Sequence, residues 1–180
     1  MTGIASEAWR SQGDQVAFDD RAWASQSRQF RSSARELLVT HDAQSKNPTY
    51  ASICCLPTAT FLLSLAIEQV SKAHYLKAKL GAREAIQTHN VVKLFSEGTF
   101  NEEQLLLMAY AESHVVWAGR YPTPTWTKEK FKEAYDVPSS FVDGVEHIDA
   151  KDIPNATWRD RANELLKLYE HIHGMWRAAA

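Results

Sequence analysis

The chain has 180 residues, 44% hydrophobic and 23% charged, with a formal net charge of -2, which suits one domain with its own core. Without a basic excess, attraction of nucleic acid by the overall field is excluded, so any contact with RNA needs a local patch. The two cysteines, Cys54 and Cys55, are sequence neighbours, a spacing that strains a mutual disulfide and offers no framework for a secreted fold. No segment reaches the roughly 18 apolar residues of a membrane span, and residues 1–15 lack a basic start followed by an apolar run. The expectation is a soluble, cytoplasmic protein with no membrane partner.

Residues 1–18 carry no clear periodicity and are expected to be loosely ordered. Asp19 and Asp20 then supply a cap and a favourable dipole pairing, and Trp23, Ser27, Phe30, Ala34, Leu37 and Leu38 recur at three and four, predicting a helix to about His41. "NPTYASICC" reads as a loop, after which Pro57 opens the strongest helix. Phe61, Leu62, Leu65, Ala66, Gln69, Ala73, Leu76 and Leu80 form its expected buried stripe, and Gly81 its stop. About 24 residues at 1.5 Å each give a rod of roughly 36 Å.

"THNVVKLFSEG" predicts a short helix capped by Thr88 and ended by Gly98. Asn101 caps the next, with Gln104 as capping-box partner, and this helix buries Leu105, Leu106, Met108, Val115 and Val116. It stops in "HVVWAGRYPTPTW". From 121 to 156 the pattern lapses into a flap or loop, apart from a short helix in "TKEKFKEAYD". A last helix begins at Thr157, with Asp160 in capping-box position, and buries Trp158, Ala162, Leu165, Tyr169, Ile172 and Trp176. No sustained period-two alternation occurs, so the fold class is all-α: an up-and-down bundle of four to five helices over one domain, 1–180, with a long irregular segment before the C-terminal helix.

Three pieces in order carry a resemblance: Glu68 and Lys72 one turn apart on the long helix, Thr88-His89-Asn90-Val91 leading into the short one, and Arg120-Tyr121-Pro122 after the following one. Together they resemble the HEPN domain superfamily (higher eukaryotes and prokaryotes nucleotide-binding) over about residues 57–124. The resemblance implies a helical bundle, commonly a homodimer, that binds or cleaves RNA or nucleotides in prokaryotic defence or toxin–antitoxin settings, with a cognate antitoxin or nucleotidyltransferase as partner. Many members are metal-independent endoribonucleases with an Arg followed four to six residues later by His on the last long helix. Here that helix offers Arg159 and Arg161, then His171 and His173, at longer spacings. Arg35 to His41 and Arg83 to His89 match the spacing elsewhere, about as often as chance provides. A non-catalytic module for dimerisation or protein interaction is the alternative.

Metal-free RNA cleavage needs a base near the 2′-hydroxyl and a cation to balance charge on the phosphate. His114, Trp117, Arg120 and Tyr121, spaced by three and four, share a helix face and its frayed end. Arg120 and His114 are the candidate catalytic pair, and Tyr121, His89 and Lys72 the candidate nucleotide or RNA contacts. Each has a plainer reading: Arg120 favours the dipole of a helix end that Gly119 and Pro122 already close, and His89 ties the loop to the long helix. Lys72 with Glu68 is an ordinary ion pair in the favourable order. No cofactor is expected. His171 and His173 point apart by roughly 200° on a helix, so a metal centre with His147 and Asp149 is not expected either.

Overall fold

The computed structural model describes residues 18–44, 50–81, 86–117, 140–142, 145–147 and 155–179, with the backbone alone at 50–54, 116–117, 140–142, 145–147 and 155–157. Four long helices carry the fold: α1 (Asp20–Gln44), α2 (Tyr50–Lys77), α3 (Glu102–Trp117) and α4 (Asn155–Ala178). Cross-links give their directions. Trp23 near the start of α1 lies under Lys72 near the end of α2, and Lys77 Nζ donates to the carbonyl of Trp176 near the end of α4. His114, late in α3, meets Trp158, early in α4. The helices therefore alternate up, down, up, down, with α2 and α4 parallel.

The core explains why α2 is central. Leu63, Ala66, Ile67 and Val70 of α2 pack with Ala34 and Leu38 of α1, Leu107, Met108 and Ala111 of α3, and Leu165, Tyr169 and Ile172 of α4. Each fully buried Leu or Ile contributes about 2 kcal/mol by removal from water. The predicted stripes of α1 and α4 are observed, with Ala24 added to the first and Leu168 to the second. In α2 most residues from Cys55 to Tyr75 are buried against the other three helices and the 86–100 segment, and Pro57, Thr58, Phe61, Leu62 and Leu65 form a strip that is not. Of the expected stripe, Ala66, Gln69 and Ala73 are buried, Phe61, Leu62, Leu65 and Leu76 are half-buried, and Leu80 is 43% exposed.

Five helix details depart from expectation. Helix α2 begins at Tyr50, so "NPTYASICC" is largely helical and Pro57 lies inside the helix. Proline there removes the bond to the Ile53 carbonyl and crowds that oxygen, while Cys55, Leu56 and Ala59 on either side are buried and hold the segment helical. At the other end, Leu80 N–H donates to the Tyr75 carbonyl at 3.2 Å and Lys79 N–H to Leu76 at 3.3 Å. This is a Schellman stop whose left-handed residue is Lys79, φ 52°, not Gly81. Gly81 leaves room for the Tyr75 hydroxyl, which a Cβ there would have to displace. Replacing Lys79 by Gly removes the cost of a left-handed side chain, so Lys79→Gly is expected to stabilise the fold by about 1 kcal/mol. An unmoved or lower urea midpoint contradicts it.

The short helix of "THNVVKLFSEG" is a single 3-10 turn, Val92–Leu94. Asn90, one residue before its N-cap Val91, accepts from Lys93 N–H at 3.2 Å, while Thr88 accepts from Asn90 N–H. In α3 the Asn101–Gln104 capping box forms reciprocally, at 2.8 and 3.1 Å. The buried face, however, is Leu107, Met108, Tyr110, Ala111, His114 and Val115, and Leu105 and Leu106 face outward. Helix α4 begins at Asn155, two residues before Thr157.

Between α3 and α4 lies a small antiparallel ribbon, β1 (Ser140–Val142) and β2 (Val145–His147), in register Ser140–His147, Phe141–Glu146 and Val142–Val145. It sits within the segment expected to be irregular and leaves the bundle all-α. The expected helix in "TKEKFKEAYD" and residues Arg120, Tyr121 and Pro122 lie outside the described residues. Among the described residues, no helix is long and apolar enough to cross a membrane.

Candidate functional site

Glu68 and Lys72 lie on the buried part of α2, so their charges need partners inside the fold. Glu68 and Lys72 stand one turn apart, their side chains 5% and 7% exposed, and Lys72 Nζ donates to Glu68 Oε1 at 2.5 Å. The ammonium also lies 5.0 Å from the centroid of the Trp23 ring on α1, a desolvated cation over an aromatic face. His89 comes to the same carboxylate from the segment after α2: its Nδ1 is 3.2 Å from Glu68 Oε1. Lys72 and His89 thus meet through Glu68, which the i,i+4 spacing alone does not show.

A second carboxylate holds the same segment from the opposite helix. Glu112 of α3 accepts from Val92 N–H at 3.0 Å. Burial pushes its carboxyl above the usual range and the nearby Glu68 charge adds to that, while the Val92 and Val91 N–H groups and Lys93 oppose it. Glu68 and Glu112 therefore clamp the turn at His89 and Val92. The imidazole of His89 stays 45% exposed, and no described residue hydrogen-bonds its Nε2. Chemically, this is a buried ion pair carrying a histidine whose outer edge meets solvent.

Further along the segment the contacts are apolar. His74 of α2 stacks on Phe95 at 5.5 Å, Phe95 meets Phe100 edge-on at 4.8 Å, and Phe100 meets His171 of α4 at 5.9 Å. Burial lowers the His74 pKa, against a bond to the Met175 backbone. These rings fasten the 86–100 segment across the ends of α2 and α4.

His114 occupies a different place. Residues 112 and 114 project about 200° apart on a helix, so Glu112 faces the 3-10 turn while His114 faces α4. His114 is 7% exposed, with Nδ1 3.2 Å from the Tyr110 carbonyl, its ring 4.3 Å from that of Tyr110 and edge-on to Trp158 at 6.3 Å. The Arg161 guanidinium lies 5.2 Å from the Tyr110 ring centroid. Burial pushes the His114 pKa down to about 4; the Arg161 charge adds to the shift and the Tyr110 carbonyl opposes it. The side chain is neutral at pH 7 and belongs to the α3–α4 seam.

On α4, His173 stacks between Tyr169 and Trp176, at 5.6 and 5.3 Å, and His171 meets Phe100. Among the described residues, no group of three or more His, Cys, Asp or Glu is placed to hold a metal ion. Sequence reasoning missed Glu112 and Trp23 as parts of the polar centre. One signal was available: Glu112 is the lone carboxylate in the apolar run "LLLMAYAESHVV". No known protein family, curated protein or solved structure matches the chain.

Proposed function

We propose that this chain is a HEPN-like helical protein that binds RNA or nucleotides, in the defence or toxin–antitoxin setting which the sequence resemblance implies. The observation that carries the reading is the half-exposed His89 held on the buried Glu68–Lys72 pair. A buried ion pair adds little net stability compared with apolar residues of the same volume. A charged centre kept inside a helix bundle therefore calls for a reason other than stability, and holding a group at the surface is one. In this proposal His89 contacts the ligand, and Lys72 acts through Glu68. Arg120 and Tyr121, following α3, supply phosphate and stacking contacts. Binding is favoured over cleavage because His114, the candidate base, is enclosed between Tyr110 and Trp158. A homodimer would form through the long helices.

The test is a mixed-sequence RNA pool and a set of ribonucleotides, offered to wild type, His89→Ala and Arg120→Ala without metal. Expected is salt-sensitive binding that each substitution weakens at least tenfold, with no cleavage. Metal-free cleavage lost in Arg120→Ala and His114→Ala restores the nuclease reading. Binding of neither RNA nor nucleotide removes the proposal.

The exposed Leu105 and Leu106 on α3 favour a second reading, a non-catalytic interaction module whose partner covers that face. A complex or dimer that Leu106→Asp abolishes and His89→Ala leaves intact selects it.

A further inference from the structure

Helix α1 carries its charge unevenly. Residues 21–35 hold four arginines and no acidic residue, in a chain whose formal net charge is -2. Arg21, Arg28 and Arg35 recur at intervals of seven, and all three are exposed. Seven residues advance about 10.5 Å along a helix and fall only about 20° out of register, so the three form one line roughly 21 Å long. Ser25 and Ser32 are exposed between them, and one turn beyond Arg35 stands Val39, 62% exposed. Beside this line Arg31 is paired with Glu170 and Arg159 with Asp42. Among the described residues no carboxylate pairs with the guanidinium groups of Arg21, Arg28 or Arg35, and Arg28 lies over the Trp176 ring at 5.9 Å. Helix α4 adds Arg177 to the same side: burial lowers the His173 pKa, Glu170 opposes this, and Arg28, Arg177 and Arg31 add to the lowering.

This arrangement does not serve α1 itself. A solvated helix is ordinarily laced by opposite charges three or four residues apart. Arg28 instead has Ala24, Ser25, Arg31 and Ser32 at those positions, and Arg31 and Arg35 are like charges one turn apart, which destabilises a helix. We infer that the line of Arg21, Arg28 and Arg35 is a docking surface for an acidic helix of a partner protein, whose Asp or Glu residues recur every seventh position. A helix lying beside α1 has the same rise per residue, so its carboxylates meet the three guanidinium groups in step. Arginine suits the task because its planar fork takes a carboxylate through two hydrogen bonds. Val39 supplies an apolar anchor at one end, and the two serines leave room for a close approach. A second copy of this chain does not fit, since a two-fold contact along the line would set arginine against arginine. Nucleic acid fits less well: duplex strands carry a phosphate about every 3.4 Å, and single strands are held by stacking on aromatic rings, whereas serines separate these arginines. The surface stands apart from the His89 site and does not depend on it.

The test is fluorescence anisotropy of labelled helical peptides with the full chain at low salt. One peptide carries Glu at every seventh position, with a Leu one turn beyond the last. A second peptide of the same composition spaces its Glu residues by five, so that they circle the helix. Wild type is expected to bind the first about tenfold more tightly than the second, an advantage that fades as salt is raised. Arg28→Glu should weaken that binding about tenfold. The triple variant Arg21→Glu/Arg28→Glu/Arg35→Glu should instead bind a peptide with Lys in place of Glu, a swap that loss of folding cannot produce. If the reversal fails to fold, Arg21→Gln/Arg28→Gln/Arg35→Gln is expected to erase the preference between the two Glu peptides. Equal binding of the two peptides by wild type, binding of neither, or a preference that survives the triple replacement overturns the inference. So does a mixed-sequence RNA that displaces the peptide and binds more tightly, which would make the line a phosphate surface.

Discussion

Between pH 7.5 and pH 4 the wild-type protein is expected to lose about 3 kcal/mol of stability through one side chain, His114. Its pKa falls from an ordinary 6.5 to about 4 in the folded state because the ring is buried against Tyr110 and Trp158, with the Arg161 charge nearby. The unfolded chain therefore binds a proton at a pH where the folded chain does not, and stability rises with pH across that interval. The contribution is complete above about 6.5, where both states are neutral, and declines as pH drops from 6.5 toward 4. At 1.36 kcal/mol per pKa unit, the gap between 6.5 and about 4 gives the magnitude. Urea unfolding of wild type and His114→Gln at a series of pH values measures it. The variant is expected to be less stable at pH 7.5, having lost packing, yet to show a flatter pH dependence below 6.5. Parallel profiles for the two proteins would assign the acid sensitivity to other groups. His74 and His173, whose pKa values burial also lowers, contribute in the same direction and remain in the variant.

How much of this was legible in the chain differs from element to element, for physical reasons. Helix α4 was legible because only one of its faces is covered, so Trp158, Ala162, Leu165, Tyr169, Ile172 and Trp176 stand out at 3.6-residue spacing. The Asn101–Gln104 box was legible because both partners lie within one turn. Helix α2 was not readable as a stripe, since its less buried strip carries Phe61, Leu62 and Leu65 and its buried side carries Thr60, Ser64 and Ser71, so polarity does not mark the faces. In α3 a run of three leucines offers no internal phase: tertiary packing selects Leu107 and leaves Leu105 and Leu106 outside. The α2 terminus misled for a related reason. Gly81 was the obvious left-handed residue, but the Tyr75 hydroxyl occupies the space beside it, and the turn is made two residues earlier at Lys79. The ribbon at 140–147 has strands of three residues, too short for alternation to register, although Asp143-Gly144 between them is a hairpin dipeptide.

The candidate site shows the same division. Glu68 and Lys72 were paired by their spacing, yet nothing in four residues of sequence says that the pair is buried, that Trp23 backs it, or that His89, 21 positions on, completes it. Glu112 escaped because its partner is a backbone N–H, a group the side-chain pattern never reveals. His114 was chosen for its helical register with Arg120 and Tyr121; the register is sound for α3, but the face it selects is the one turned toward α4.

Removing Lys72 alone is expected to be among the most damaging single changes in the protein. Lys72→Met keeps the length of the side chain and its contact with Trp23, but leaves Glu68 as a buried carboxylate with only His89 beside it. Breaking a buried pair from one side typically costs about 3–5 kcal/mol, because the remaining charge must stay desolvated, take up a proton or pull water inward. Glu68→Leu/Lys72→Met removes both charges and is expected to recover most of that loss, since two apolar groups of similar volume replace a pair whose desolvation offsets its attraction. A double-mutant cycle by urea unfolding, with Glu68→Leu as the fourth corner, gives the coupling directly. Coupling of more than about 2 kcal/mol is expected from the geometry, and a value below about 0.5 kcal/mol would mean that the two charges are hydrated in solution. The cycle also separates stability from function: if the apolar double variant folds as well as wild type but no longer binds ligand at His89, the pair is retained for the histidine it orients. Were the double variant to keep full ligand binding, the pair would serve only to fill the centre of the bundle.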